Sequence, residues 1–195
     1  MPSPERFEKT LRDFAISNDV IADIYDGFQK LTDKEHKRVK AVFFRQALLV
    51  MNEKLPKEQV KVILEANACS KSGVRERNSK EFARINQKLS IEDRLKLISN
   101  RAYMNMGKPE LDKHGFLIVH AVSYRPTDKF ECACPTISKI KRDYNIPKEY
   151  CYCCGGHFKY HYEIMLGVKL DLLEIVSSPH DTDGEKPCVF KYQMK

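Results

Sequence analysis

The stretch Phe116-Leu-Ile-Val-His-Ala-Val-Ser-Tyr124 marks the point at which the chain changes its hydrophobic period. It follows Gly115, is rich in β-branched and aromatic residues, and is too short for another long helix, so it predicts a strand. The pattern before it is helical and the pattern after it includes two further strands. We therefore expect an α+β fold, with a helical N-terminal half packed on a C-terminal antiparallel sheet with flanking helices.

Upstream of this strand, apolar residues recur at helical spacing, and helix-start signals divide them into successive helices. The predicted starts are Ser3-Pro4, Asn18, the possible capping box Thr32-Asp-Lys-Glu35, Pro56, Ser79 and Ser90. These stripes are interpreted as core packing and not as a cofactor site. The sequence thus predicts a helical region over residues 1–107.

Downstream, the region over residues 108–195 is expected to be a cysteine-rich α/β ligand-binding region, integrated with the first as one domain. A short helix is expected from Pro135 to Tyr144. A longer one should follow Gly155-Gly156 and stop at Gly167. Two strands are then predicted, over 168–177 and 187–194, because apolar residues alternate there.

The formal charge of +7 lies mostly on residues 1–107. A basic helical half can attract nucleic acid or an acidic partner, but acids and bases interleave here, which favours a solvated surface and makes nucleic acid an unexpected partner. The first residues lack the apolar run of a signal peptide, and no stretch is apolar enough to span a bilayer. We expect a soluble, cytoplasmic protein and leave a homodimer open.

Six of the seven cysteines lie between Cys132 and Cys188. Five of them form two short groups: Cys132, Cys134, Cys151, Cys153 and Cys154. Without an export signal, reduced thiols are expected in place of structural disulfides. Three interpretations stay open: ligation of a metal, with zinc the leading candidate, a catalytic or redox-active thiol, and inert buried cysteines.

Two further features attract attention downstream of the cysteines. His157 and His161 share a helix face, but Phe158 follows the first histidine where a zinc protease needs glutamate. Glu174 alternates onto the same side as Leu172 and Val176, which predicts a buried carboxylate with a partner or a polar pocket. The alternative for Glu174 is a bulge or strand edge that carries it to solvent.

The C-terminal segment is similar to a known pattern: Gly155-Gly-His-Phe-Lys-Tyr-His-Tyr-Glu163, then Leu166-Gly167, Glu174-x-x-Ser177, Gly184 and Cys188-x-Phe190. It resembles the vinyl-4-reductase ligand-binding domain and the related L-2-amino-thiazoline-4-carboxylic acid hydrolase-like proteins, in a cysteine-rich prokaryotic branch. The resemblance implies an antiparallel sheet and helices around a small-molecule pocket. Members of those families serve as sensors of small ligands, as tetrapyrrole-related accessory proteins, or in some cases as hydrolases.

The expected function is therefore a small-molecule-binding or sensory domain whose cysteine cluster binds zinc. The residues expected to contact the ligand are His157, His161, Glu174, Phe158, Tyr162, Cys188 and Phe190. The alternative is a small-molecule hydrolase or a thiol-dependent oxidoreductase that uses one of the clustered cysteines. That alternative requires a cysteine of depressed pKa beside a base, for which His157 or His180 is the nearest candidate.

Overall fold

A computed structural model of the chain describes residues 3–69, 71–100, 106–121, 125, 127–132, 134, 136–138, 140, 143–180 and 182–195. The helices within these ranges are α1 (Pro4–Asp13), α2 (Asn18–Ile24), α3 (Lys37–Lys54), α4 (Lys57–Ala66), α5 (Val74–Ile85), α6 (Ile91–Ser99) and α7 (Tyr152–Leu166), the last preceded by a 3₁₀ turn (Lys148–Cys151). The strands are β1 (Lys108–Leu111), β2 (Leu117–His120), β3 (Leu170–Ser177) and β4 (Val189–Met194). The α+β class is confirmed. None of these helices is long and apolar enough to cross a membrane.

The chain divides into two compact units. The first consists of Met1–Cys69 and Cys134–Cys154, and the second of Ser70–Ala133 and Gly155–Lys195. Each unit therefore combines segments that are distant in the sequence, and each has its own buried core.

Aromatic packing forms the core of the first unit. The Phe44 ring lies 5.6 Å from Phe7, 5.0 Å from Phe43 and 6.0 Å from Tyr150, measured between ring centroids. All four side chains are almost completely buried. Rings at these separations gain edge-to-face attraction in addition to the burial of apolar area. This packing joins α1 and α3 to the 3₁₀ turn before α7.

The second unit contains the antiparallel sheet, whose strand order is β1-β2-β4-β3. In the centre of the sheet Leu117 pairs with Tyr192, and Val119 pairs with Phe190. These four side chains are fully buried, which follows from the period of two along a strand. The predicted central and last strands are confirmed, whereas β1 was not predicted because its four residues, Lys108-Pro-Glu-Leu111, include a proline and two charges and no β-branched or aromatic residue.

Two of the predicted helix starts are confirmed by their caps. The Ser3 side chain accepts a hydrogen bond from the Arg6 backbone N–H, and the Ser90 side chain accepts one from Asp93. Serine is suited to this position because its oxygen satisfies an N–H that has no partner within the helix.

Two other predicted starts are wrong. The helix α5 begins at Val74 after Gly73, whose φ of 77° breaks the chain direction, so that Ser79 lies in the middle of the helix. The third helix begins at Lys37 with His36 as its cap, and Thr32 to Glu35 form a turn. In both cases a polar residue resembled a helix cap in the sequence, but its side chain does not cap the helix.

The prediction that Gly155-Gly156 precede the last helix is also wrong, because α7 begins at Tyr152 and includes both glycines. A Cβ atom at Gly155 would collide with the side chain of Leu172 on β3. Glycine at this position therefore allows α7 to approach the sheet closely. The short helix expected over 135–144 lies partly outside the described residues.

We expect the substitution Gly155→Ala to destabilise the protein by about 1–3 kcal/mol, although alanine is the better helix former, because the added methyl group overpacks against Leu172. Chemical denaturation followed by circular dichroism measures this difference. Leu172→Ala alone should also destabilise the protein, by about 2–5 kcal/mol. The double variant should be more stable than the sum of the two losses predicts, by at least about 1 kcal/mol, since the new methyl group then has space. Strict additivity would contradict this contact.

Candidate functional site

Two histidines of α7 form a buried pair in the second unit. The rings of His157 and His161 lie 4.7 Å apart between centroids, and the two side chains are 5% and 0% exposed. Their spacing of four residues places them on one face of the helix, as the sequence predicted. They face α5, which supplies a polar partner for each of them.

Arg75 of α5 is the partner of His157. The guanidinium Nη1 donates a hydrogen bond to the Nε2 atom of His157 at 2.8 Å. Since a guanidinium has only donors, Nε2 must carry a lone pair, and a neutral His157 then holds its proton on Nδ1. Burial, together with the charges of His161 and Arg75, lowers the pKa of His157 from 6.5 to about 3. The imidazole is therefore neutral at physiological pH.

Ser79, one helical turn after Arg75, is the partner of His161. Its Oγ atom lies 2.9 Å from the Nδ1 atom of His161 and 3.0 Å from the backbone oxygen of Arg75. A hydroxyl has one proton, and serine within a helix usually donates it to the carbonyl four residues earlier. In that arrangement Nδ1 of His161 donates to Ser79. The Nε2 atom of His161 then carries a lone pair.

The rim of this group contains Tyr160, Glu76, Lys80 and Lys71. The Tyr160 hydroxyl donates to Glu76 at 3.0 Å, and Lys80 pairs with the same carboxylate at 2.7 Å. These hydrogen bonds, that of Lys80 first, lower the pKa of Glu76, which is therefore ionised and already engaged. The ammonium of Lys71 lies 5.9 Å from the centroid of the Tyr160 ring. The rim thus carries more positive than negative charge.

The guanidinium of Arg75 has no ion-pair partner in the part of the chain that the structure describes. Its one hydrogen bond goes to a neutral histidine, and burial lowers its pKa with no carboxylate contributing. Half-buried arginine is expensive to desolvate without an anion, and four of its five N–H donors are not used by His157. This group can therefore recognise a planar anion such as a carboxylate.

A serine–histidine nucleophile is a poorer interpretation of the same side chains. Ser79 is fully buried, lies within a helix and donates its proton to a backbone carbonyl. An activated serine instead needs access to a substrate and a base that accepts its proton. The arrangement therefore favours binding over nucleophilic attack.

Sequence reasoning found both histidines but missed Arg75, Tyr160 and Glu76, and it treated Ser79 only as a helix cap. One available signal was that Arg75 and Ser79 have the same four-residue spacing as His157 and His161. Two helices with polar residues at equal spacing can pair those residues turn by turn. The sequence did not say which helices are neighbours, so this signal was ambiguous.

The cysteines that were predicted to bind metal are divided between the two units. Cys134, Cys151, Cys153 and Cys154 belong to the first unit, and Cys132 to the second. Among the described residues, no group of three or more histidine, cysteine, aspartate or glutamate side chains has an arrangement that could hold a metal ion. The structure gives the zinc hypothesis no support, and zinc stays a prediction.

Within the first unit, Cys134 and Cys153 lie near the buried Tyr150. The Tyr150 hydroxyl is 3.3 Å from the Sγ atom of Cys134. Burial, and then the neighbouring Cys154 and Cys134, raise the pKa of Cys153 well above its ordinary value. Because the thiolate is the nucleophile, a raised pKa makes Cys153 unreactive.

The prediction that Glu174 faces the buried side of its strand is wrong. Register shifts occur between Leu172 and Glu174 and again between Ile175 and Ser177. The first shift inverts the alternation, so that Glu174 and Val176 are exposed while Ile175 is buried. The bulge that the sequence left as the alternative is the correct explanation.

The aromatic residues that were expected to line a pocket lie in the core of the second unit. Phe158 packs on Phe190 at 5.7 Å between ring centroids, and the Tyr162 hydroxyl donates to the Met106 carbonyl at 2.8 Å. Cys188, immediately before the last strand, is partly exposed and its carbonyl accepts the Ala121 N–H. Their predicted contact with a ligand stays a prediction.

One cavity of about 350 Å³ lies between α6 and β1. Its lining consists of Glu92, Leu95, Lys96, Ser99, Asn100, Pro109, Glu110 and Leu111. None of the residues that the sequence predicted to bind a ligand contributes to it.

Comparison of the chain with protein-family models, with curated proteins and with solved structures finds no match in any of the three. The resemblance to the vinyl-4-reductase group is therefore still a prediction. The function is therefore inferred from the arrangement of the side chains described above.

Because His157 is buried and neutral, we expect the free energy of unfolding to depend on pH. Its pKa of about 3 lies below the ordinary 6.5, so the unfolded chain takes up a proton that the folded chain does not. The free energy of unfolding should therefore fall as the pH drops from 6.5 towards 3, by up to about 1.4 kcal/mol per pH unit from this group. His157→Gln keeps an acceptor for Arg75 but cannot titrate.

Urea denaturation of both proteins at a series of pH values measures the contribution of His157. The curve of the variant should be flatter in this window than that of the wild type. Parallel curves would show that His157 does not titrate as its burial requires.

Proposed function

We propose that the protein binds a small carboxylate-bearing molecule at the Arg75 guanidinium, beside Tyr160 at the rim, with His157, His161 and Ser79 buried behind it as orienting groups. The name Arg75 site is used below for these five side chains. A role as a small-molecule-binding or sensory domain agrees with this proposal.

The observation that carries the proposal is the half-buried guanidinium of Arg75 without an anionic partner in the described chain. A bound carboxylate would accept two parallel N–H bonds from it and neutralise its charge. Glu76 cannot take this role where it stands, because Lys80 and Tyr160 already hold it. We infer that a bound carboxylate supplies the negative charge that the described residues do not.

The two histidines give the site a further property. A neutral His157 accepts the Arg75 N–H and so fixes the orientation of the guanidinium. This hydrogen bond needs the lone pair on Nε2, so His157 is expected to stay neutral when an anion binds to Arg75.

The thiol-enzyme alternative receives no such support. The raised pKa of Cys153 is opposite to the depressed value that a nucleophilic cysteine needs. Zinc binding and a cytoplasmic location stay predictions, and metal analysis of purified protein tests the first of them.

The test is titration calorimetry with a panel of aliphatic and aromatic monocarboxylates, chosen after a thermal-shift screen. We expect Arg75→Met to weaken binding at least about tenfold, since a charge-assisted hydrogen bond contributes about 1.5–3 kcal/mol. The matched control is Arg77→Met, because Arg77 lies on the same helix but is exposed. Equal affinity of the two variants, or no carboxylate binding by the wild type, would overturn the proposal.

A further inference from the structure

The third helix, α3, has a second apolar face that points to solvent. Val39, Val42 and Leu49 are 38%, 42% and 47% exposed, although other residues of the same helix form the core of the first unit. Scattered exposed apolar residues need no explanation, but three on one helix stripe do.

The spacing of this stripe is regular. Val39, Val42, Gln46, Leu49 and Glu53 follow one another at alternating intervals of three and four residues. That pattern is the heptad seam along which two helices pack side by side. The buried residues of α3, including Phe44, Ala47 and Met51, lie on the opposite side of the helix. The seam is therefore not an extension of the core.

The charges at the two ends of the seam are opposite. Arg38 lies beside the first seam residue and Glu53 is the last one, and both side chains are exposed. Neither makes an ion pair within the described ranges, whereas the adjacent Lys54 pairs with Asp23. A seam with an exposed cation beside one end and an exposed anion at the other complements a copy of itself that runs in the opposite direction.

We propose that two copies of the chain associate through antiparallel packing of their α3 helices. Val39, Val42 and Leu49 of one copy cover those of the other, and Arg38 of each copy pairs with Glu53 of the other. Gln46 lies in the middle of the seam and donates a hydrogen bond to the Asp26 carbonyl at 2.8 Å. A polar residue at such a position favours one register and lowers the affinity.

The dimer is expected to be weak. The helix is roughly 27 Å long, and a single pair of helices of this length buries less area than a standard stable interface. A dissociation constant on the order of 10–100 μM is therefore expected, in the range of transient association. This inference does not depend on the Arg75 site.

Sedimentation equilibrium over a range of protein concentrations tests the proposal. Leu49→Glu should abolish association. The matched control is Leu173→Glu, since Leu173 on β3 is 48% exposed and lies outside the seam. This control should associate like the wild type. A wild type that stays monomeric at the highest concentration, or equal effects of the two substitutions, would overturn the proposal.

Charge reversal tests the antiparallel orientation separately. Arg38→Glu and Glu53→Arg should each weaken self-association at least about fivefold, because each places like charges together twice in the dimer. An equimolar mixture of the two variants should associate as tightly as the wild type, since both contacts between unlike copies then join opposite charges. Failure of the mixture to recover would refute the antiparallel pairing. Circular dichroism confirms that each variant is folded.

Discussion

The second unit depends on one electrostatic condition: His157 must stay neutral. Its Nε2 atom accepts a hydrogen bond from the Arg75 guanidinium at 2.8 Å, and a protonated imidazole would place two cations at that distance. Burial keeps the ring neutral, because desolvation of the imidazole lowers its pKa to about 3. The contact between α5 and α7 at this point therefore requires a buried His157 ring, and that side chain is 5% exposed. The guanidinium is only half-buried, so an anion can reach the donors that His157 does not use.

The helix α7 packs on the sheet with one side and contacts α5 with another. Gly155 and Phe158 lie along the side that packs on the sheet, and His157 and His161 lie along another that meets α5. The absence of a side chain at Gly155 lets the helix come close to Leu172. Close packing fixes the rotation of the helix about its axis, and that rotation directs the histidines towards Arg75 and Ser79. The glycine and the polar pair are thus linked through the geometry of one helix.

Much of the fold could be predicted from local patterns. Ser3 and Ser90 identify helix starts, and the β-branched run after Gly115 identifies a central strand, because each signal lies within a few neighbouring residues. Glu174 could not be placed, since the register shifts of β3 depend on its pairing with β4. Arg75 could not be identified for a similar reason. A charged residue near a helix start is common, and its importance follows only from its contact with a buried histidine 82 residues away in the sequence. For the cysteines the local signal was misleading. Thiols that are close in the sequence suggested a shared metal site, but no arrangement that could hold a metal ion is found among the described residues.

Burial has opposite chemical consequences for the two kinds of side chain that drew attention first. A buried thiol such as Cys153 has a raised pKa and stays in its neutral form, in which it is a poor nucleophile. A buried imidazole also becomes neutral, but its neutral form retains one donor and one acceptor in fixed positions. His157 uses its acceptor to hold Arg75, and His161 uses Nδ1 to contact Ser79. The same desolvation that makes Cys153 a poor nucleophile thus leaves His157 able to hold the Arg75 guanidinium through its neutral ring.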